Sequence, residues 1–188
     1  MFCVPRPRAS SRLCSRCLNN WVYCKMINKK ICMLGAFSVG KTSLVEQFVH
    51  SIFSDKYLST VGVKISKKVL AVNGQDMTLL LWDMEGKDLY VDVNLSYLRG
   101  AMGFFVVADG TRKETLETAL ALRKAAHEAI GQVPCYLLIN KEDKSNEWEI
   151  TEAMLSSLTA QGINYFRTSA KTGLAVNEAF TSLARDML

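Results

Sequence analysis

No apolar run in this 188-residue chain is long enough to cross a bilayer, the longest lying around residues 101–108. Residues 26–188 contain no internal repeat and no low-complexity segment, which excludes solenoids and repeat arrays. Acidic residues are missing from residues 1–25, although Arg6, Arg8, Arg12, Arg16 and Lys25 stand there. Those five bases account for the whole net charge of +5 and leave 18 basic against 18 acidic residues in the remainder. A balanced remainder carries no electrostatic footprint for nucleic acid, so no nucleic-acid partner is expected. Near an anionic lipid surface the five bases, at on the order of 1 kcal/mol each, allow only weak, salt-sensitive adhesion.

The first 25 residues also lack what their cysteines would need. Cys3, Cys14, Cys17 and Cys24 include one Cys-x-x-Cys pair, but no second close pair or histidine set completes a zinc site. No continuous apolar stretch precedes a small-residue cleavage site, which argues against secretion and a disulfide framework. The location expected is therefore cytoplasmic. An Arg- and Ser-rich, acid-free start is similar to an organelle transit segment, so organelle targeting is the alternative. A disordered arm or an extension upstream of Met26 is the plainer reading. No cysteine near Leu188 offers a prenylation signal, and Phe2 stands where myristoylation needs glycine. Either the protein stays soluble or a tail lies beyond Leu188. The expected organisation is an arm over 1–25 and one domain over 26–188; at 188 residues and 49% hydrophobic, the chain can bury a single core.

What the chain does contain is sharper. Gly35-Ala36-Phe37-Ser38-Val39-Gly40-Lys41-Thr42 fits G-x-x-x-x-G-K-[ST], between a strand-like run over 27–34 and a helix-like run over 41–50. A loop so placed aims successive backbone N–H groups and a helix's positive end at one point, which suits a polyphosphate. Lys41 is then the phosphate counter-charge and Thr42 a Mg²⁺ ligand, with Ser43 following in the helix. A glycine-rich turn is the bland alternative, and context decides against it. Leu79-Leu80-Leu81-Trp82-Asp83 is a buried-strand run ending in a carboxylate, followed by Met84, Glu85 and Gly86 as W-D-x-x-G. Asn140-Lys141-Glu142-Asp143 ends the apolar run 135–139, and Thr168-Ser169-Ala170-Lys171 follows a strand-like run over 163–167.

In that order and spacing these motifs resemble a Ras-superfamily small GTPase, closest in style to the Rab branch, over residues 26–188. The resemblance implies a guanine-nucleotide switch that binds GTP and GDP with Mg²⁺ and hydrolyses GTP. In it Asp83 holds a Mg²⁺ water and the Gly86 N–H meets the γ-phosphate. Asp143 accepts from guanine N1–H and the exocyclic amine, whereas adenine would leave that charge unpaired. Asn140 supports base and loop, Lys141 lies over the base plane, and Ala170 N–H, in the Ser169-Ala170-Lys171 stretch, meets the guanine oxygen. Phe53 falls where an aromatic ring packs on guanine, or is a core residue closing the first helix. Tyr57-Leu58-Ser59-Thr60-Val61-Gly62-Val63 is similar to the first switch, with Thr60 giving Mg²⁺ its second hydroxyl in the triphosphate state. The second switch runs over 86–99, and Tyr97-Leu98-Arg99-Gly100-Ala101 is close to a Rab-branch stretch. Val63, Ile65, Trp82 and Tyr97 form the implied effector patch, with exchange and activating proteins as further partners; the same side chains also suit an ordinary core.

Three departures bear on catalysis. Phe37 stands where a small residue is usual, Lys87 where a water-orienting Gln is usual, and Glu85 where a small residue is usual. Phe37 crowds the γ-phosphate side, and a protonated Lys87 cannot accept a hydrogen bond from water, so slow hydrolysis is expected. A GTP-bound scaffold that does not turn over is the rival reading. The fold expected is α/β: a mainly parallel sheet with helices on both faces and one antiparallel edge hairpin, strands over 61–72 and 77–82 turning at Asn73-Gly74. A further strand is expected over 103–108, with helices over 114–130, 151–159 and 176–187.

Overall fold

The computed structural model describes residues 27–54, 60–84 and 95–188. The arm with its four cysteines, Tyr57, Leu58 and Ser59 of the first switch, and Glu85, Gly86 and Lys87 lie outside those residues. Among the described residues six strands form one sheet in the order β2-β3-β1-β4-β5-β6. They are β1 (Ile27–Gly35), β2 (Val63–Val72), β3 (Gln75–Met84), β4 (Gly103–Asp109), β5 (Cys135–Asn140) and β6 (Tyr165–Arg167). Four helices accompany them: α1 (Lys41–His50), α2 (Glu114–Ile130), α3 (Glu152–Ala160) and α4 (Val176–Asp186). Strands β3, β1, β4, β5 and β6 pair in parallel, and only β2 runs antiparallel, against β3. The expected α/β architecture is thus the one found.

Period-two alternation divides the interior between the two sheet faces. Ile31, Met33, Phe105, Val107 and Leu138 join α1 and α4 in one cluster, where Phe48 and Phe180 stack at 4.1 Å. Cys32, Leu34, Phe104, Val106 and Ile139 join α2 and α3 in the other. Covered on both faces, β4 is buried at every position, which is why it reads as an unbroken apolar run. At the β2–β3 turn Asn73 and Gly74 both take positive φ, 50° and 79°, as a type I′ hairpin requires.

Three strands differ from expectation by two residues at an end, the other elements by no more than one. Strand β2 starts at Val63 rather than 61, and β3 runs from Gln75 to Met84 because its ladder with β2 continues to the hairpin. The last strand begins at Tyr165 rather than 163. Ile163 N–H instead bonds back to Leu158 O at 2.9 Å and Gly162 N–H to Thr159 O at 2.9 Å, closing α3 in a Schellman motif. That motif needs the left-handed Gly162, φ 69°.

The sheet also fixes where a ligand belongs. Strand β1 continues to β3 on one side and β4 on the other, so chain order reverses at its carboxyl end. Open α/β sheets leave a crevice at such a switch point.

Candidate functional site

The loop between β1 and α1 lies in that crevice. Gly35 has φ 149°, and a Cβ there would stand 2.5 Å from Val107 O on β4. Gly40, φ 98°, caps α1, and a Cβ there would collide with Asn140 Nδ2. Both glycines are therefore required by close approach as well as by backbone angle. Ala36 and Val39 are buried and anchor the loop, Ser38 takes φ 62°, and Ser43 is half-buried in the first turn of α1. Lys41 is 6% exposed, and its Nζ donates to Gly35 O at 2.9 Å and Ala36 O at 2.8 Å. Burial pushes its ammonium down to about 8, against the nearby Asp83 charge, which favours the charged form. A buried cation beside a helix N-terminus is compensated when an anion occupies the loop.

Next to Lys41 oxygens from α1, β3 and the segment before β2 converge. Thr42 Oγ1 donates to Asp83 Oδ2 at 2.5 Å and lies 2.7 Å from Thr60 Oγ1, which is itself 3.3 Å from Asp83 Oδ2. Asp83 is 1% exposed, and its Oδ1 has no hydrogen-bond partner among the described residues. Burial raises its pKa, opposed by the Thr42 hydroxyl and the Lys41 charge. An orphaned buried carboxylate oxygen beside two hydroxyls is a hard-oxygen donor set and fits Mg²⁺ with part of its water shell.

The third part stands at the end of β5. Asn140 is buried; its Nδ2 donates to Val39 O at 3.0 Å, and its Oδ1 accepts from Ala170 N–H at 3.1 Å. One side chain thereby ties the β1–α1 loop to the loop after β6. Ala170 N–H, expected on a guanine oxygen, is engaged within this junction and must be shared or released to meet a base. Ser169 Oγ donates to Asp143 Oδ1 at 2.6 Å, fixing that carboxylate, and Lys171 beside it is exposed. Phe53, after α1, is half-buried against the cluster that includes Ala170.

Sequence reasoning missed a residue here. Asp109, the last residue of β4, is fully buried and pairs with Lys141 Nζ at 2.7 Å and Arg112 Nε at 3.0 Å. Burial pushes its carboxyl up, but Lys141 and the Thr111 hydroxyl and N–H outweigh that and hold it below the usual carboxylate range. Arg112 Nη2 also donates to Phe37 O at 3.0 Å, so the loop tip is braced from the end of β4. The signal was available: a carboxylate ends the apolar run of β4 as Asp83 ends that of β3.

Of the four residues expected in an effector patch, Ile65, Trp82 and Tyr97 lie together. Ile65 is directly opposite Trp82 across β2–β3. Trp82 and Tyr97 rings stand 6.5 Å apart, Ile65 is 55% and Tyr97 39% exposed, and Val63 and Trp82 are half-buried. Lys30 Nζ lies 3.7 Å over the Trp82 ring and donates to Tyr97 O and Arg99 O, pinning strand and turn together.

Strand, glycine-bordered loop and helix, at the switch point of a mainly parallel sheet, define a phosphate-loop nucleotide-binding fold. The Ras family model matches residues 30–188. The Ras-related protein Rab-13 of Canis lupus familiaris is 35% identical over 161 residues, covering 85% of this chain and 79% of that one. Rab-13 of Bos taurus is 34% identical with the same coverage, and Rab-8B of Homo sapiens 30% identical over 85% of this chain and 78% of its own. The chain therefore belongs to the Ras family, as a Rab-like GTP-binding switch GTPase. Among the described residues no helix is long and apolar enough to cross a membrane.

Proposed function

We propose that this chain is a Mg²⁺-dependent guanine-nucleotide switch that hydrolyses GTP slowly and recruits a protein partner in its triphosphate state. The convergence of Thr42, Thr60 and Asp83 beside the buried Lys41 carries the reading, because one metal-bound triphosphate satisfies every group left uncompensated there. The backbone of residues 35–43 cradles the phosphates, and Lys41 neutralises the β/γ oxygens. Thr42 and Thr60 would hold the ion, with Asp83 holding a water on it; bound, it would supply positive charge to the phosphate oxygens. Asn140, Lys141, Asp143, Ser169, Ala170 and Lys171, with Phe53 at the edge, read guanine. Gly86 N–H is assigned to the γ-phosphate.

Phe37 supports slow turnover: it stands at the loop tip, 42% exposed, with its carbonyl held by Arg112. A ring there takes space that an attacking water and a partner's arginine both need, and a partner's arginine is worth about 10³–10⁵ in rate. Lys87 offers no acceptor to orient the water. The same observations favour a second reading, a GTP-loaded scaffold without turnover. Partner proteins read Val63, Ile65, Trp82 and Tyr97 together with the switches, and exchange and activating proteins set the nucleotide state. The arm over 1–25 is assigned outside the domain over 26–188, and the cytoplasm is the proposed location.

Single-turnover hydrolysis by fully GTP-loaded protein tests this. The expected result is a slow parent, with Phe37→Gly plus Lys87→Gln restoring more than either change alone, and non-additively since both act on one water. A parent with no measurable turnover establishes the scaffold reading. Rapid parent hydrolysis abolished by Lys87→Ala makes Lys87 catalytic and overturns slow turnover.

A further inference from the structure

We propose that Trp148 and Arg167 are positioning residues for guanine, a clamp that holds the base-reading loop 140–143 in shape. The inference rests on the guanine-switch reading above. Lys141 sits in that loop with φ 71°, a left-handed conformation that a residue with a side chain adopts only when its surroundings impose it. The restraint is visible on both sides of the residue. Its ammonium is held by Asp109, and its carbonyl accepts from Trp148 Nε1 at 3.0 Å.

The indole reaches that carbonyl only because residue 110 is glycine. A Cβ on Gly110 would overlap Trp148 Cε2, Nε1 and Cδ2, so the ring lies directly on the backbone. Gly110 N–H donates to Asn140 O at 2.9 Å, and Gly110 O accepts from Glu149 N–H at 2.9 Å, strapping the ring's own segment to the same point. Arg167, the last residue of β6, covers the indole with its guanidinium 4.6 Å from the ring centroid. It also forks onto Glu142, Nε to Oε2 at 3.1 Å and Nη2 to Oε1 at 3.0 Å, while Nη1 meets Glu152 Oε1 at 2.8 Å. Glu142 N–H bonds Thr168 O at 3.0 Å. The two middle residues of the loop are thus gripped from outside it: Lys141 by Trp148, Glu142 by Arg167.

An isolated, partly exposed ion pair contributes little, but a bidentate fork that also stacks on a ring fixes geometry. The geometry fixed is that of residues flanked directly by Asn140 and Asp143. Loosening the clamp therefore degrades recognition of the base edge more than the hold on the phosphates.

Release of fluorescent GDP and of IDP, whose base lacks the exocyclic amine, from the full chain with Mg²⁺ tests the clamp, alongside nucleotide-free melts. Arg167→Met is expected to release GDP roughly tenfold faster, the scale of one lost charge-assisted contact, and to narrow the preference for GDP over IDP. Arg167→Lys falls between, because a point charge cannot fork. Trp148→Phe, which keeps an aromatic ring under Arg167 but removes the N–H donor and part of the ring's area, moves both readouts the same way and decides the matter if Arg167→Met does not fold. Unchanged GDP release in both variants overturns the clamp, as does an equal loss for GDP and IDP that tracks a lower melting temperature. A parent without preference for GDP over IDP overturns the base-reading assignment, and the clamp with it. A parent that prefers GDP while its variants match it overturns the clamp alone.

Discussion

At the scale of single residues, base choice turns on Asp143. Ser169 holds one of its oxygens at 2.6 Å, which aims the carboxylate but leaves it able to accept from a donor edge. In Asp143→Asn the amide donates where the carboxylate accepted, so GDP should weaken by about 1–3 kcal/mol and XDP gain. Paired titrations of GDP and XDP check this, and an unshifted preference removes Asp143 from the role. Asp109 makes a separate, pH-dependent forecast. Its folded pKa is depressed, so its stabilising share is fully present above the ordinary carboxylate value and is lost as pH falls through the folded value. Urea melts should therefore show Asp109→Asn below the parent at neutral pH, with the gap closing as pH drops under 3.8, the unperturbed value. The two aspartates also differ in how they could be read from sequence. Asp143 belongs to a motif with fixed spacing, whereas Asp109 shows its partner Lys141 only when β4 and β5 lie side by side. Trp148 is less legible still, since its contact with Gly110 spans separate elements and depends on a missing Cβ.

Among elements, apolar patterning was legible where burial is two-sided and less so where a local bond competes. The continuous run of β4 and the Asn73-Gly74 turn placed their elements correctly because burial and positive φ each demand particular residue types. The stretch before β6 misled for the opposite reason. Ile163 is apolar and 7% exposed, yet its N–H closes α3 and is not free for a ladder. Gly162→Ala forces a Cβ into a left-handed position, although the space around it is open. It should lower global stability by about 1 kcal/mol, read in urea unfolding, without altering GDP affinity. Gly40→Ala should do the reverse. Its Cβ drives into Asn140 Nδ2 and breaks the junction between phosphate and base loops, so GDP affinity should collapse while the buried strands keep their hydrogen-exchange protection.

For the whole molecule, the site and the core should be separable by linkage. The groups left uncompensated, Lys41 and Asp83, sit at the strand ends, while the two apolar clusters lie along the strands and helices. A ligand that binds only the folded state adds RT ln(1 + [L]/Kd), about 2.7 kcal/mol at a hundredfold excess over Kd. Thr42→Ala removes a hydroxyl that meets both Asp83 and Thr60, and should leave nucleotide-free stability within about 1 kcal/mol of the parent. It should nonetheless forfeit most of the increment that Mg²⁺ adds in the presence of GTP. Lys41→Ala deletes a buried cation whose charge burial already disfavours, so its nucleotide-free melt should change little. Its loss is expected in the GTP and GDP increments, with or without Mg²⁺. Calorimetric melts of the three proteins, nucleotide-free, with EDTA and nucleotide, and with Mg²⁺ and nucleotide, separate these outcomes. If both variants keep the parent's full increments, phosphate and metal bind elsewhere on the molecule and the loop over 35–43 is structural.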